Sequence, residues 1–417
     1  MLPDFPDRRP TLAWAVVAFV IYAALTVGGQ TAWNAHTLMA DAILHGRWDL
    51  APPYGTTELI TLADGRKLVA YGIGPSLLML PWVALLGPGA PQSTFCALMG
   101  AVGVASWFLF LGASGVQGWR RHGLTAMLAF ASPHFFNAAY RGDNWLLTHT
   151  CAVSAVLCSF WLARTGRAGW AGLALGLASL CRPTTLAALP VVFLLVAEAS
   201  RPVPAWMESA QPQPVADTGS LGTWLASVLD RRKWPAYAWF AVGLGLMLAI
   251  QAWANWDRFG DVLDNGYRAI ILKDPISGFG KIPTHSWEHF WNHLPLYFLS
   301  GPVEIPDFPW WSPGHNGLSL FITMPFLVLL ALGPWRSWRY RFAMLGILVT
   351  QAFYLSFIGT GAAQFGMRYA TDWMPLALAG VAMVPGKEAF GRLHRAVLGF
   401  GIFIQVWGIT AWRLTGM

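Results

Sequence analysis

Long apolar runs recur along the chain, and short polar loops separate them. The runs are continuous instead of alternating with polar residues, which is typical of transmembrane helices and not of the strands of a membrane barrel. We therefore predict an all-α polytopic membrane protein with about eleven transmembrane helices of roughly 20 residues each. The predicted spans are residues 11–29, 93–113, 124–140, 146–163, 169–181, 184–197, 235–253, 317–333, 343–358, 373–385 and 395–412.

The composition excludes a soluble domain. Of the 417 residues, 55% are hydrophobic and 11% are charged, and the charged share is about half that of an ordinary globular domain. The net charge of +7 comes from basic residues spread over many loops, so we expect no nucleic-acid partner. All four cysteines lie in apolar runs and show neither a disulfide framework nor a metal-site spacing: Cys96, Cys151, Cys158 and Cys181.

The basic loops set the predicted orientation. With Arg8 and Arg9 in the cytoplasm, the basic turn Trp119-Arg120-Arg121-His122 and the later basic loops also lie inside. Acidic residues contribute little to orientation, so their gathering on the opposite face favours chemistry there. The acids on the predicted external face are Asp41, Asp49, Glu58, Asp64, Asp143, Asp257, Asp261, Asp264, Asp274, Glu288, Glu304, Asp307 and Asp372.

The first external loop, residues 30–92, is long enough to hold structure of its own. Its pattern predicts a helix over 36–45, a polar turn at 64–67, and a second helix over 74–86 that lies along the outer membrane surface. Spanning by this second helix would invert every later basic loop. Glu58 of the same loop is a candidate substrate-binding residue.

The remaining organisation is one transmembrane domain, residues 1–417, with two further long loops. Residues 198–234 are rich in proline, glutamine and serine, which indicates a cytoplasmic linker followed by a surface helix. Residues 254–316 form a second large external loop whose many aromatic side chains are typical of the membrane interface.

Ionisable residues next to external span ends are functional candidates, because charge at membrane depth is costly. His36 and Asp41 lie five residues apart on a predicted helix and are expected to flank one groove, unless Asp41 is only a solvated acid. Arg141 and Asp143 occupy a tight turn above His149. The alternative there is a local ion pair and a packed histidine.

Two further segments bring basic residues to the external boundary. Arg182, in SLCRPTTL, stands between two apolar segments before a proline, where it either binds a phosphate or reaches to water. The segment GTGAAQFGMRYATDWMP places Gln364, Arg368, Tyr369 and Asp372 together. Arg368 and Asp372 have the spacing of a helical salt bridge, and the functional alternative is that Arg368 grips a phosphate that Asp372 orients.

No sharper catalytic signature is present: the sequence has no Walker A loop, G-x-G-x-x-G, H-E-x-x-H or G-x-S-x-G motif. Gly172 and Gly176 form a GxxxG pattern, which we interpret as helix packing. No cluster of metal-ligand residues is visible, so we predict an activity without a metal or other cofactor that a chelator does not change.

Four segments resemble the GT-C superfamily of polyprenyl-phosphate-sugar glycosyltransferases: ADAILHGRWDL, YGIGPSLLMLPWVALLG, GLALGLASLCRPTTLAALP and QFGMRYATDWMPLALAG. They resemble bacterial members and, more distantly, the lipid A aminoarabinose transferases and protein mannosyltransferases. The resemblance implies a GT-C-like fold with external juxtamembrane helices. It also implies inverting transfer of a sugar from a polyprenyl-phosphate donor to a glycan, lipid or protein acceptor. The expected location is the bacterial inner membrane, with a cytoplasmic N-terminus and a periplasmic active site and C-terminus.

The resemblance further implies a carboxylate general base in the first external loop and arginines on the lipid phosphate. Members of the superfamily usually carry an Asp directly after the first span, but this chain reads GGQTAWNAH there. The base is therefore expected to be Asp41, His36 or Asp143, with Arg182 and Arg368 on the phosphate.

Two other functions are consistent with a chain of this kind. A transporter or lipid flippase would share the span count, although we detect no pair of related halves. A non-catalytic GT-C-like subunit of an envelope polysaccharide assembly would explain the missing early Asp.

Overall fold

The computed structural model describes residues 7–26, 31–50, 52, 59–62, 65–199, 218–266, 283–361, 364–385 and 391–415. The chain is mostly helical. The α-helices are α1 (Arg8–Leu25), α2 (Ala35–Leu44), α3 (Gly74–Leu86), α4 (Gln92–Ala113), α5 (Gly118–Phe130), α6 (Pro133–Ala139), α7 (Asn144–Arg164), α8 (Ala168–Cys181), α9 (Leu189–Glu198), α10 (Leu221–Val228), α11 (Trp234–Phe259), α12 (Trp287–Leu299), α13 (Leu320–Thr323), α14 (Trp338–Ser356), α15 (Met374–Ala382) and α16 (Arg392–Thr415). Four 3-10 helices cover Pro183–Ala188, Arg231–Lys233, Pro325–Leu332 and Arg368–Asp372.

Within the residues that the structure describes, each predicted span overlaps helix. Among the described residues, five helical segments are long and apolar enough to cross a membrane: Arg8–Leu25, Gln92–Ala113, Asn144–Arg164, Arg231–Phe259 and Arg392–Thr415. A helical membrane protein is therefore the class that the structure supports, while the count of about eleven transmembrane helices stays a prediction.

Prolines divide several of the predicted spans. Within 124–140, α5 ends at Phe130 and α6 begins at Pro133, with the Ser132 hydroxyl accepting the hydrogen bond of the His134 amide. The runs at 184–197 and 317–333 are partly 3-10 helix, beginning at Pro183 and Pro325 respectively. Proline lacks an amide donor and fits the first turn of a helix, so it favours a new helix start over a continuous span.

Glycines bring α8 and α11 into close contact. A Cβ atom on Gly172 would lie 2.1 Å from the carbonyl oxygen of Phe240, and one on Gly176 would lie 2.4 Å from Cβ of Met247. Gly243 of α11 approaches the carbonyl of Gly169 equally closely, at 2.1 Å. The interpretation of the GxxxG pattern as helix packing is confirmed, because any side chain there would separate the two backbones.

The predicted first external loop contains the two predicted helices, α2 and α3. Its polar turn joins two short antiparallel strands, β1 (Leu59–Thr61) and β2 (Lys67–Val69), with Leu59 opposite Val69. A second hairpin pairs β3 (Val303–Glu304) with β4 (Trp311–Ser312) in the predicted second external loop. The all-α prediction is therefore wrong in these two places, since two or three residues are too few to show the alternation of a strand.

Helix α3 packs against the C-terminal end of α8. A Cβ atom on Gly72 would lie 2.2 Å from the carbonyl oxygen of Leu180, and one on Gly74 would lie 2.6 Å from the amide nitrogen of Cys181. This contact places the chain that leads into α3 directly beside Arg182. The orientation of α3 along the membrane surface stays a prediction, as do the loop boundaries.

The predicted cytoplasmic surface helix corresponds to α10, which begins with the Ser220 hydroxyl accepting the hydrogen bond of the Thr223 amide. The linker ahead of it, residues 200–217, lies outside the described residues, as do Glu58, Asp64 and Asp274.

Candidate functional site

A buried carboxylate, Asp372, lies at the centre of a network of four side chains. Its Oδ1 accepts a hydrogen bond from His149 Nδ1 at 2.8 Å, and its Oδ2 accepts one from Arg182 Nε at 3.1 Å. The hydroxyls of Thr184 and Tyr354 also donate to Oδ2. The Asp372 side chain is fully buried, so these bonds replace the water that would otherwise solvate it.

Local structure brings these groups together from four parts of the chain, the first of which is α7 with His149. Arg182 is extended (φ −145°, ψ 107°) because the following Pro183 disfavours helical geometry, so α8 ends there. Tyr354 lies in the last turns of α14. Its hydroxyl accepts a hydrogen bond from Arg182 Nη2 at 2.8 Å, which is the second that Arg182 donates in this network. Asp372 ends the 3-10 helix that precedes α15.

The charges of this network stabilise one another. Burial alone would raise the pKa of Asp372, but the Arg182 guanidinium and His149 outweigh it and hold that pKa below its usual range. Burial alone would lower the pKa of Arg182, and Asp372 raises it well above its usual value. Both groups are therefore charged at neutral pH, and together they carry no net charge.

Of the two alternatives for Arg368 and Asp372, the salt bridge does not form, because Asp372 pairs with Arg182 and His149 instead. Residues four apart share a face in an α-helix, whereas this segment is a 3-10 helix, in which residues three apart are aligned. The interpretation of Arg182 as merely reaching to water is also wrong, because its Nε donates a hydrogen bond to Asp372.

Arg368 lies between two aromatic rings. Its Cζ atom is 5.4 Å from the ring centroid of Trp145 and 5.4 Å from that of Tyr369. Gln364 orders the preceding loop, since its Oε1 accepts the amide hydrogen of Arg368 and its Nε2 donates to the carbonyls of Asn316 and Thr360. The aromatic contacts favour a cation at this position.

Asp143 is the second buried carboxylate. Its Oδ1 accepts a hydrogen bond from the Thr31 hydroxyl, and its Oδ2 makes no hydrogen bond with any residue that the structure describes. Burial raises the pKa of Asp143, and the hydrogen bond from Thr31 and the charge of Arg141 offset part of that rise. Arg141 makes no ion pair with Asp143 and instead lies over the Tyr140 ring at 5.0 Å, so the predicted local pair does not form.

The turn that carries Asp143 is tied to the residues that follow α1. Gly142 has a positive φ of 68°, and a Cβ atom there would lie 2.6 Å from Cα of Ser93. Gln92 Nε2 donates to the carbonyls of Gly142 (2.8 Å) and Trp33 (3.0 Å). Asn144 Oδ1 accepts the amide hydrogen of Ala35 at 2.8 Å. These bonds place the Asp143 carboxylate beside the chain segment directly after the first helix.

Two adjoining cavities connect these groups. The first, which we call the Asp143 cavity, has a volume of about 160 Å³ and is lined by polar residues and many aromatic rings: Trp33, Pro133, Phe136, Asn137, Tyr140, Arg141, Asp143, Trp145, Leu146, Gln364, Phe365, Gly366, Arg368 and Trp412. The second, the Arg182 cavity, has a volume of about 140 Å³ and is lined by Ala70, Tyr71, Gly72, Trp145, Thr148, His149, Cys181, Arg182, Pro183, Asn265, Arg368 and Tyr369. Trp145 and Arg368 line both cavities.

The other predicted site residues lie elsewhere. His36 is fully buried, with Nδ1 3.1 Å from the Ser76 hydroxyl and Nε2 2.9 Å from the Thr148 hydroxyl. Burial lowers the pKa of His36 to about 3, so the ring is neutral. Asp41 lies 3.7 Å from the exposed His45 and lines neither cavity. Glu58 falls outside the described residues.

Sequence reasoning missed Thr31, Thr184 and Tyr354, which bond the two carboxylates. Thr184 lies in the segment CRPTTL, and Tyr354 is a polar ring near the external end of a predicted span, so both gave a weak signal. Thr31 gave none. In the part of the chain that the structure describes, no three His, Cys, Asp or Glu side chains are placed to hold a metal ion.

No protein-family model and no curated protein matches the chain. Among solved structures, the archaeal oligosaccharyltransferase AglB from Archaeoglobus fulgidus, in complex with an inhibitory peptide and a dolichol-phosphate, aligns with 98% of this chain and 55% of its own, at a TM-score of 0.42 and 14% identity. The Archaeoglobus fulgidus oligosaccharyltransferase in the apo form aligns with 97% of this chain and 55% of its own, at a TM-score of 0.39 and 15% identity. The complex of that enzyme with Zn and sulfate aligns with 95% of this chain and 51% of its own, at a TM-score of 0.41 and 14% identity. The chain spans about half the length of these structures.

Proposed function

We propose that the chain is a membrane glycosyltransferase that moves a sugar, with inversion, from a polyprenyl-phosphate donor to an acceptor on the predicted periplasmic face of a bacterial inner membrane. One observation carries the proposal: Asp143 and Arg368 line one cavity, and Arg368 and Arg182 line the next. Inverting transfer needs a base for the acceptor hydroxyl and cations for the departing phosphate, next to each other.

Asp143 is the proposed general base. Its Oδ2 is available to accept the proton of the acceptor hydroxyl, while the hydrogen bond from Thr31 holds Oδ1. Its raised pKa makes the carboxylate a stronger base than an ordinary Asp. Its position beside the segment after α1 supports Asp143 as the substitute for the Asp that the GT-C superfamily usually carries there, whereas Asp41 faces His45.

Arg368 and Arg182 are the proposed phosphate ligands. The ion pair with Asp372 neutralises Arg182 and occupies its Nε, while Tyr354 occupies Nη2. Nη1 makes no hydrogen bond with the described residues and is available to a phosphate oxygen. Arg368, which lines both cavities, brings a second guanidinium to the phosphate, and Asp372 acts by orienting Arg182.

The aromatic lining suits the sugar. Trp33 and Trp145 pack against each other with ring centroids 5.1 Å apart, and Trp145 borders both cavities. Ligand pockets combine apolar and aromatic walls with a few placed polar groups, and a sugar ring at this border would have Asp143 on one side and the arginines on the other.

The test measures release of undecaprenyl phosphate from undecaprenyl-phosphate hexoses or pentoses by the purified full chain, with envelope glycan and lipid fractions as acceptors. We expect Asp143→Asn to lower the rate by about 10²–10⁴-fold, the usual contribution of a positioned base. Asp41→Asn is the matched control, because it makes the same change on an external acid that lines neither cavity. Loss in Asp41→Asn with full activity in Asp143→Asn would assign the base to Asp41. Absence of release with every donor, together with substrate flux across vesicles, would favour a transporter instead.

A further inference from the structure

We propose that the end of the bundle opposite the candidate site binds the headgroup of an anionic glycerophospholipid. Helices α1, α5 and α16 surround a cavity of about 980 Å³, whose lining includes Trp14, Trp119, His122 and Arg395. The small residues Gly118 and Ala126 of α5 leave the space open. Its volume is within the range of roughly 300–1,000 Å³ found for ligand pockets.

The charge of the cavity favours an anion. None of the described residues that line it is acidic, and the Arg395 guanidinium makes no hydrogen bond or ion pair with any residue in the described ranges. His122 Nδ1 accepts the indole hydrogen of Trp14 at 3.0 Å, so a neutral ring carries its proton on Nε2. Arg395 and His122 therefore offer two donors to one phosphodiester.

The guanidinium groups of the neighbouring arginines, unlike that of Arg395, are bonded to other parts of the protein. Arg121 is buried and pairs with Asp7 at 3.0 Å, and the Arg120 guanidinium donates to the carbonyls of Ala382 and Val384. Both are committed to the protein itself. Arg395 is exposed at the rim of the cavity.

The surroundings favour a lipid over a soluble anion. Trp119 is 82% exposed, as expected for an indole at the level of the headgroups. Along the helices that leave the cavity, α1 exposes Val16 and Val20 and α16 exposes Phe400 and Phe403. These apolar faces are suited to the two acyl chains of a lipid whose phosphate sits on Arg395.

The lipid site is independent of the proposed transfer reaction. Arg395 lies near the start of α16, whereas Trp412, near its end, lines the Asp143 cavity. The intervening helix is about 25 Å long at 1.5 Å per residue, close to the thickness of the hydrocarbon core. The lipid would therefore belong to the leaflet on the basic, predicted cytoplasmic side.

Native mass spectrometry of the delipidated full chain in detergent tests the proposal, with phosphatidylglycerol and phosphatidylcholine of identical acyl chains as probes. We expect phosphatidylglycerol to bind more tightly, and Arg395→Gln to weaken its binding about fivefold, as for removal of one basic contact to an anionic lipid. Arg392→Gln is the matched control: it removes an exposed arginine of the same helix that does not line the cavity.

A second variant, Ala126→Phe, fills the cavity without changing charge and is expected to weaken binding of phosphatidylglycerol while the chain remains monodisperse in detergent. Equal binding of the two lipids by the unmodified chain would overturn the proposal. So would an equal loss in Arg395→Gln and Arg392→Gln, since surface charge alone would then explain the preference. Competition by glycerol 3-phosphate as effective as that by the lipid would replace the lipid with a soluble anion.

Discussion

Asp143 and Asp372 are chemically identical and both buried, yet their surroundings differ in every respect that matters for reactivity. Asp372 accepts hydrogen bonds from four side chains and pairs with Arg182, which holds its pKa below the usual range. From the residues that the structure describes, Asp143 accepts one hydrogen bond, donated by Thr31, and burial raises its pKa. Environments that push the pKa values of two carboxylates apart assign them different roles.

The difference separates a positioning residue from a candidate base. A carboxylate whose oxygens are fully used cannot accept a further proton readily, but it can hold a guanidinium in place. A carboxylate with one free oxygen beside a cavity can take a proton from a bound hydroxyl. We therefore propose that Asp372 orients Arg182 and that Asp143 acts on the substrate.

Moving the Asp143 carboxylate to a neighbouring position tests its proposed role most directly. Asp143→Asn is expected to lose about 10²–10⁴-fold of the transfer rate, and adding Thr31→Asp to it is expected to restore at least about tenfold, because the two side chains touch and a carboxylate would again border the cavity. The measurement is release of undecaprenyl phosphate by the single and double variants. Thr31→Asp alone is the control, and a double variant as inactive as Asp143→Asn would show that the location after α1 is not what matters.

The second prediction concerns stability. Asp372→Asn is expected to lower the free energy of unfolding by about 3–5 kcal/mol, because it leaves the Arg182 charge in a partly buried site without its partner. Asp143→Asn is expected to change it by less than about 1 kcal/mol, since only one hydrogen bond is weakened. Thermal or denaturant unfolding in detergent measures both. Equal destabilisation by the two variants would remove the distinction between them.

Acid pH is expected to protonate Asp143 before Asp372, because their pKa values are shifted in opposite directions. Because the pKa of Asp143 is raised, its protonated form prevails at a higher pH than for an ordinary Asp, so kcat/KM falls about tenfold per pH unit below that raised pKa. For Asp372 the pKa is lowered, so its contribution to folding stability is present above the usual Asp pKa and is lost as pH falls through the lowered value. Loss of activity only together with unfolding would contradict the assignment of Asp143.

Much of the fold could be predicted from the apolar runs, because a helix that must satisfy its own backbone in lipid needs a long continuous run. Helices α2 and α3 were also predicted, from runs that are apolar but short. The β1–β2 hairpin could not be, since three residues per strand carry no periodicity. The break between α5 and α6 at Ser132 is marked in the sequence only by the proline that follows it.

The sequence identified some of the residues that form the site, but not which of them form ion pairs with each other. Ionisable residues at external span ends are rare enough to identify Asp143, Arg182 and Arg368 as candidates. That Arg182 pairs with Asp372, 190 residues later, depends on how the 3-10 helices Pro183–Ala188 and Arg368–Asp372 both pack against α7, and no local pattern reports it. The helical spacing of Arg368 and Asp372 even pointed the wrong way, because their backbone is 3-10.

The smallest expected effect is that of a chelator. A departing phosphate can be stabilised either by a divalent ion or by arginines. Arg368 lines the same cavity as Asp143 and is a proposed phosphate ligand, and the carboxylate that a metal would require as a second ligand, Asp372, has its oxygens occupied by Arg182 and His149. We therefore predict that EDTA changes the rate of undecaprenyl phosphate release by less than about twofold, against about 10²–10⁴ for Asp143→Asn. Loss of activity in EDTA with recovery on adding Mg²⁺ or Mn²⁺ would mean that Asp143 acts as a metal ligand instead of a base.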